Sequence, residues 1–442
     1  METLDSLVST ISNFVWGAPM LILLVGTGLY LTIKLKFMQF WALPSALKLI
    51  FIKEDSTKGE ISHFAALMTA LAATVGIGNI VGVATAIVLG GPGAVFWMWI
   101  TGLVGMATKY SEAVLAVKYR EEGDFGYRGG PMYYLTHGAK LPILGTLFAF
   151  FTACAAFGIG NMTQSNAVAE VLLTQLNIPT WVSGLALLTL TSLVILGGIK
   201  SIGKFTSFLV PFMIVFYVFA ALVVLFLNID KIVPAFGLIF YHAFNPIAAG
   251  GGFAGATIAA AIRFGIARGV FSNESGLGSA PIAAAAARTE DPVRQALVSM
   301  TQTFIDTIIV CTMTALIILI SPFWQEGISA GSLTLLSFEH HLGGVGTLIV
   351  SLATVLFAYS TILGWSYYGE KAFEFLLGTK WVKVYRVLFV AGVMVGAMMQ
   401  LNFVWNFSDM MNGLMAIPNL IALLILSNIV KNETDRFFKK SA

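Results

Sequence analysis

Apolar runs of about 20 residues, the length a helix needs to cross a bilayer, recur from one end of this chain to the other. Eleven can be read between charged or turn-rich breaks: 14–33, 64–90, 95–117, 143–173, 181–196, 205–227, 252–286, 298–320, 347–368, 384–401 and 405–429. In lipid the backbone must pair its own polar groups, so this pattern folds as a helix bundle. The alternating segments of roughly 10 residues that mark a membrane barrel are missing. Of 442 residues, 57% are hydrophobic and 11% charged. Soluble domains carry about 25% charged residues, so the chain reads as an all-α polytopic membrane protein.

The placement of basic residues tests that count. With the N-terminus outside, the inner segments hold 21 of the 25 Lys and Arg, and the outer segments hold only Lys231. Lys109, Arg263 and Arg268 fall within spans. So lopsided a division predicts an N-out, C-in topology in a cell membrane. The first run follows Glu2 and Asp5 with no basic segment, which suits a retained span rather than a cleaved signal. Cys154 and Cys311 lie in apolar runs and imply no disulfide framework. Residues 36–53 interleave lysines with Phe37, Phe40, Trp41 and Phe51, the pattern of a helix lying on the inner membrane face. The charged tail from Lys431 is expected to fray.

Two of the runs are interrupted near mid-depth, at residues 74–79 (Thr-Val-Gly-Ile-Gly-Asn) and 271–278 (Phe-Ser-Asn-Glu-Ser-Gly-Leu-Gly). Gly76 lies about 12 residues, or roughly 18 Å, into its span, just past the middle of a ~30 Å core. Unpaired backbone at that depth is tolerated only where it lines a cavity. Half-helix N-termini offer N–H groups to a carboxylate, while loose carbonyls can bind a cation. Five helices make up each unit, the second to sixth and the seventh to eleventh spans, so the second unit enters the membrane inverted. Matching breaks in an inverted repeat point to a secondary transporter's site. Glycine-mediated helix packing is the bland alternative, and it suffices for Gly250 to Gly252 and Gly255. It accounts less well for glycines joined to Asn79, or to Ser272, Asn273, Glu274 and Ser275. The spacing of Gly76, Gly78 and Gly82 does not fit a dinucleotide fingerprint, and Asn273-Glu274-Ser275 is too deep to be a glycosylation acceptor.

The stretch Gly90-Gly91-Pro92-Gly93-Ala94-Val95-Phe96-Trp97-Met98-Trp99-Ile100, continuing to Gly105-Met106-Ala107-Thr108 and Glu112, resembles the signature of the alanine/glycine:cation symporter family. Residues 271–281 look like that family as well, and the resemblance covers nearly the whole chain. It implies a sodium-coupled carrier of alanine and glycine with a LeuT-like 5+5 inverted repeat, preceded by one extra N-terminal helix. The expected organisation is then 1–63 for the extra helix and linker, 64–227 and 228–430 for the repeats, and 431–442 for a cytoplasmic tail. By that resemblance the candidate substrate contacts are Thr74, Gly76, Gly78 and Asn79 in the first break and Phe271, Ser272, Asn273 and Gly276 in the second, with Gly76 and Gly78 at the carboxylate. It also implies a sodium site formed by the carbonyls of Ala72, Val75 and Phe357 and the side chains of Ser360 and Thr361, oxygen ligands suited to a hard cation. Similar carriers close their outer side with a charged pair, here Arg268 with Asp409; snorkelling of the arginine is the alternative.

Other polar residues stay open at this level. Glu274 could bind the substrate amine, cap the second half-helix or carry a proton, and Asp306 could approach the cation region. Asn161, Gln164 and Asn166, and Trp365 on the ninth span, could line the pocket, or serve helix contacts and packing. Lys109 and Glu112, three apart, read as a structural ion pair. A channel would need a pore-lining ring, and an enzyme a nucleophile–base pair or metal cluster at depth; neither pattern is present. The residues alone imply a carrier of a small zwitterion with a cation; a monomer in the bilayer with no nucleic-acid partner is the expectation, though the residues do not fix the oligomeric state. Proton coupling is the alternative to sodium.

Overall fold

A chain this apolar must cover both its core and its lipid face with hydrophobic side chains, and helix Gly198–Leu227 shows how. Phe208, Phe212, Val215, Phe219, Leu222 and Phe226 form an exposed stripe at helical spacing, while Val210, Met213, Tyr217, Ala221 and Val224 form the buried one. The computed structural model describes residues 2–52, 58–124, 126–248, 255–399 and 402–441. Among these, seven helices are long and apolar enough to cross a membrane, and the pair His63–Thr74 with Ile77–Gly90, bent by 60°, makes an eighth span. The protein is a multi-pass helical membrane protein.

The first broken helix starts where Ser62 caps it, accepting the Ala65 N–H at 3.1 Å. It stops at Val75-Gly76, makes a tight turn at Ile77–Asn79 and resumes as Val81–Gly90. The second, Ile258–Asn273, is capped by Thr257, whose side chain accepts from Ala260 N–H at 3.1 Å. It ends at Glu274, which adopts a left-handed conformation (φ 57°), followed by Gly276 at φ 89° and Gly278 at φ 84°. Beyond this loop comes only the short helix Pro281–Ala284. The single span expected over 252–286 is therefore corrected to one half-helix, an irregular loop and a short turn; 252–254 lie outside the described residues. The chain after the turn docks on the start of the first broken helix, with Glu60 N–H donating to Ala286 O at 2.8 Å and Arg288 N–H to Ile61 O at 2.7 Å.

Helix Gly93–Lys118 packs along both Ile258–Asn273 and Pro292–Thr303, brought close by Gly102, Gly105, Gly265 and Gly269. Three widened, π-type turns occur among the described residues, at Tyr134–Gly138, Gly158–Met162 and Phe304–Cys311. Other expectations are revised. Residues 36–53 do not make one surface helix: left-handed Lys36 and Phe37 precede two short helices, Met38–Trp41 and Leu43–Leu49. Helices Ile229–His242 and Ala330–Leu342 and a hairpin pairing Glu121–Gly123 with Gly126–Arg128 occupy segments read as loops. The tail does not fray, because the last helix runs Asn402–Ser441, with Glu433 bridged to Lys118 at 2.5 Å and Thr434 bonded to the Tyr110 hydroxyl at 2.8 Å.

Candidate functional site

The two breaks meet at a small cavity. Its first wall is the irregular backbone around Gly76 and Gly78, and its second is Phe271 and Glu274 at the end of the other half-helix. Ile159 and Gln164 reach it from the widened turn and the helix after it, Thr361 and Trp365 from Gly344–Leu377, and Asn412 from the last helix. About 20 Å³ is open to the centre of a water-sized sphere, little more than one or two waters need. Gly76 is extended (φ −135°), a conformation any residue adopts, so its lack of a side chain matters through space: a Cβ there would run into the Thr361 hydroxyl. At Gly160 a Cβ would collide with Trp365.

Three oxygen acceptors face this space. The Gln164 Oε1 and Asn412 Oδ1 atoms are buried with no hydrogen-bond partner among the described residues. The Glu274 carboxylate accepts from the Ser279 hydroxyl at 2.5 Å and the Trp365 indole at 2.8 Å. Buried acceptors without donors are costly unless something donates to them. An ammonium group, with donors only, is the complement.

Beside the cavity, five oxygens converge where the first break touches helix Gly344–Leu377. The Ser360 hydroxyl lies 3.1 Å from Ala72 O, 3.3 Å from Val75 O and 2.8 Å from Phe357 O, and the Thr361 hydroxyl 3.0 Å from Phe357 O. These oxygens suit a hard monovalent cation. Thr361 belongs to both groupings, as it lines the cavity and reaches into the oxygen cluster.

Of the residues expected to touch substrate, Thr74, Gly76, Gly78, Gln164, Phe271 and Trp365 line the cavity. Asn79, Ser272, Asn273 and Gly276 do not, and each has a local reason. Asn79 Oδ1 accepts the Gly76 N–H at 2.9 Å, and its amide donates to Asp306 at 2.7 Å. Ser272 donates to the other Asp306 oxygen at 2.9 Å, which also accepts from Thr307 at 2.8 Å. Asp306 therefore ties both breaks to the widened turn of a third helix. Asn273 donates to Thr307 and accepts the Ser275 N–H, holding the start of the loop. Gly276 faces away, with its N–H on Glu112 at 3.1 Å and its carbonyl accepting from Asn419 at 2.9 Å.

That last arrangement corrects the expected Lys109–Glu112 pair. Glu112 turns to the Gly276 N–H and to the Asn419 amide at 2.7 Å instead, and Lys109 Nζ has no hydrogen-bond partner among the described residues. Asn412 and Ile159 were missed as lining residues. Asn412, one turn beyond Asp409 in an apolar span, carried a readable signal; Ile159 carried none.

Phe271 separates the cavity between the breaks from a second one, of about 90 Å³, that it lines together with Arg263, Arg268, Asp409, Asn13 and Trp16. Arg268 and Asp409 stand 3.7 Å apart and are each about a quarter exposed. Trp16 of the N-terminal segment donates to the Asp409 carbonyl at 2.9 Å, and Arg263 donates to Asn13 at 3.0 Å. The individual substitutions Arg268→Asp and Asp409→Arg are expected to leave folding intact but to lower transport. The double exchange should recover part of it in the same vesicle assay; a double variant no better than either single one removes the pairing.

The sodium:alanine symporter family model matches residues 1–442. The chain belongs to the sodium:alanine symporter family. It is therefore a membrane transport protein and not an enzyme. It is 57% identical to the sodium/alanine symporter AgcS of Methanococcus maripaludis, covering 98% of this chain and 97% of that one. A probable sodium/glutamine symporter, GlnT of Bacillus subtilis, is 37% identical over 97% of this chain and 90% of its own. Among solved structures, MhsT in complex with L-phenylalanine superimposes with a TM-score of 0.54 at 12% identity, covering 83% of this chain and 99% of MhsT. That likeness shows a shared LeuT-like fold. Family members thus carry substrates of different size in their names.

Proposed function

We propose that this chain is a symporter that couples inward movement of sodium to uptake of alanine and glycine by alternating access. The observation that carries the reading is the double position of Thr361, which forms part of the wall shared by the cavity and the five-oxygen cluster. An ion at Ala72, Val75, Phe357, Ser360 and Thr361 would fix the backbone on which the substrate's carboxylate rests at Gly76 and Gly78. Gln164, Asn412 and Glu274 would receive the substrate's ammonium. Phe271, Ile159 and Trp365 leave room for hydrogen or a methyl group, and Arg268 with Asp409 would close the outer side. In this reading eleven helices cross the cell membrane as one N-terminal helix plus two inverted repeats, 64–227 and 228–430. The N-terminus is outside, the C-terminus cytoplasmic, and the working unit a monomer.

Uptake of labelled alanine into proteoliposomes should follow an imposed inward sodium gradient, be competed by glycine and show counterflow. Uptake driven by a proton gradient alone would replace sodium with protons, and absence of counterflow would refute a carrier. Thr361→Ala should raise the sodium concentration for half-maximal uptake by about fivefold or more, the loss of roughly one ligand's hydrogen-bond-sized contribution. Unchanged sodium activation in that variant would remove Thr361 from the cation site.

A further inference from the structure

A lysine buried without a partner needs a reason. Lys109 is 1% exposed near the middle of helix Gly93–Lys118, and its Nζ makes no hydrogen bond among the described residues. Helical spacing puts Gly105, Lys109 and Glu112 on one face. Both ends of that face are anchored on the second break: Gly105 abuts Ser275 and Thr303, and Glu112 holds the Gly276 N–H. Lys109 therefore lies alongside the break, where Glu112, Glu274 and Asp306 are its charged neighbours. None of the three makes a contact ion pair with it. Each is engaged by neutral donors instead: Gly276 and Asn419 on Glu112, Ser279 and Trp365 on Glu274, and Asn79, Ser272 and Thr307 on Asp306. The second oxygen of Glu112 has no donor. A fixed structural bridge would have closed that gap, because leaving a buried charge unpaired costs several kcal/mol.

We propose that Lys109 is a tethered cation that neutralises, in the carrier empty of cargo, the Glu274 carboxylate that the substrate ammonium neutralises in the loaded carrier. The proposal rests on the symport reading above. Its flexible four-carbon stem lets the ammonium shift between carboxylates as cargo arrives and leaves. Three carboxylates and one ammonium leave this region short of positive charge, and cargo brings more. When the cargo departs, reorientation without Lys109 would carry the Glu274 carboxylate without a compensating charge through a low-dielectric core. Exchange of cargo for cargo uses only the loaded carrier. Net uptake also requires the empty return.

The two modes separate in proteoliposomes made with the full-length protein, using labelled alanine and sodium. Wild-type vesicles should give both sodium-dependent alanine exchange and net alanine uptake. In Lys109→Met the ratio of net uptake to exchange should fall about tenfold or more, a size that an uncompensated buried charge readily supplies. Lys109→Arg, which keeps the charge, should restore much of that ratio. An unchanged ratio in Lys109→Met overturns the proposal. So does equal loss of exchange and net uptake in Lys109→Met and Lys109→Gln, which would make the side chain a structural support. Wild-type vesicles that exchange alanine without any need for sodium would instead refute the symport reading itself.

Discussion

Gly76→Ala should abolish alanine uptake while leaving a folded protein. The expected loss comes from space rather than backbone strain, since φ −135° is open to alanine. The added methyl would meet the Thr361 hydroxyl, whose β-branched side chain has few rotamers in a helix and cannot easily turn away. It would also take up much of a cavity with about 20 Å³ to spare. Overpacking of this kind costs about 1–3 kcal/mol, a factor of roughly 5–150, and here both the substrate's and the cation's contacts are displaced together. Uptake below a few per cent of wild type and a raised sodium requirement are the results to look for, with size-exclusion behaviour unchanged. Gly26→Ala is the matched control, because nothing lies within 4 Å of the methyl it would add. Uptake by Gly76→Ala within twofold of the control would mean that the cargo binds elsewhere.

The breaks themselves were legible because glycine beside Asn, Ser or Glu has no ordinary place deep in an apolar helix. What surrounds them was legible only in part. The Ser360–Thr361 pair resembles many hydroxyls that bond back within a helix, and here both do so through Phe357. It is the approach of Ala72 and Val75, nearly 300 residues away in sequence, that turns the pair into an oxygen cluster. Spacing rules predicted a Lys109–Glu112 bridge, and tertiary donors won: the free N–H of Gly276 exists only because the second helix is broken there. The charged tail looked solvated because its partner, Lys118, lies 315 residues before Glu433. Ile159 reaches the cavity through a widened turn that no periodicity in an apolar run announces.

Those same long-range contacts tie the N-terminal segment to the charged pair. Trp16 holds the backbone of Asp409, and Asn13 holds Arg263, so the helix braces both elements that carry the charged pair above Phe271. The pair itself is about three-quarters buried. Phe271, stacked on Trp405 at 6.4 Å, lines both the cavity beside this pair and the one between the breaks.

The other large effect is expected at Asp306. Its two carboxylate oxygens receive Asn79, Ser272 and Thr307, so one side chain bonds to both breaks and to the widened turn that carries it. Asp306→Ala takes the carboxylate from three buried donors, leaving Asn79 only the backbone carbonyl of residue 306 and the Cys311 sulfur and Ser272 only that sulfur, and should both lower thermal stability by several degrees and eliminate transport. Asp306→Asn separates structure from charge. It keeps the shape and one acceptor, so the fold should survive, but it removes the negative charge closest to Asn79 and Ser272. If that charge also attracts the coupling ion, the sodium concentration for half-maximal uptake should rise about tenfold, as expected for losing a charged partner to a cation in a buried site. The alanine concentration for half-maximal uptake, measured at saturating sodium, should move far less. A stable Asp306→Asn protein with wild-type sodium activation would limit Asp306 to bolting the breaks together. The cation would then be left to the oxygens around Thr361.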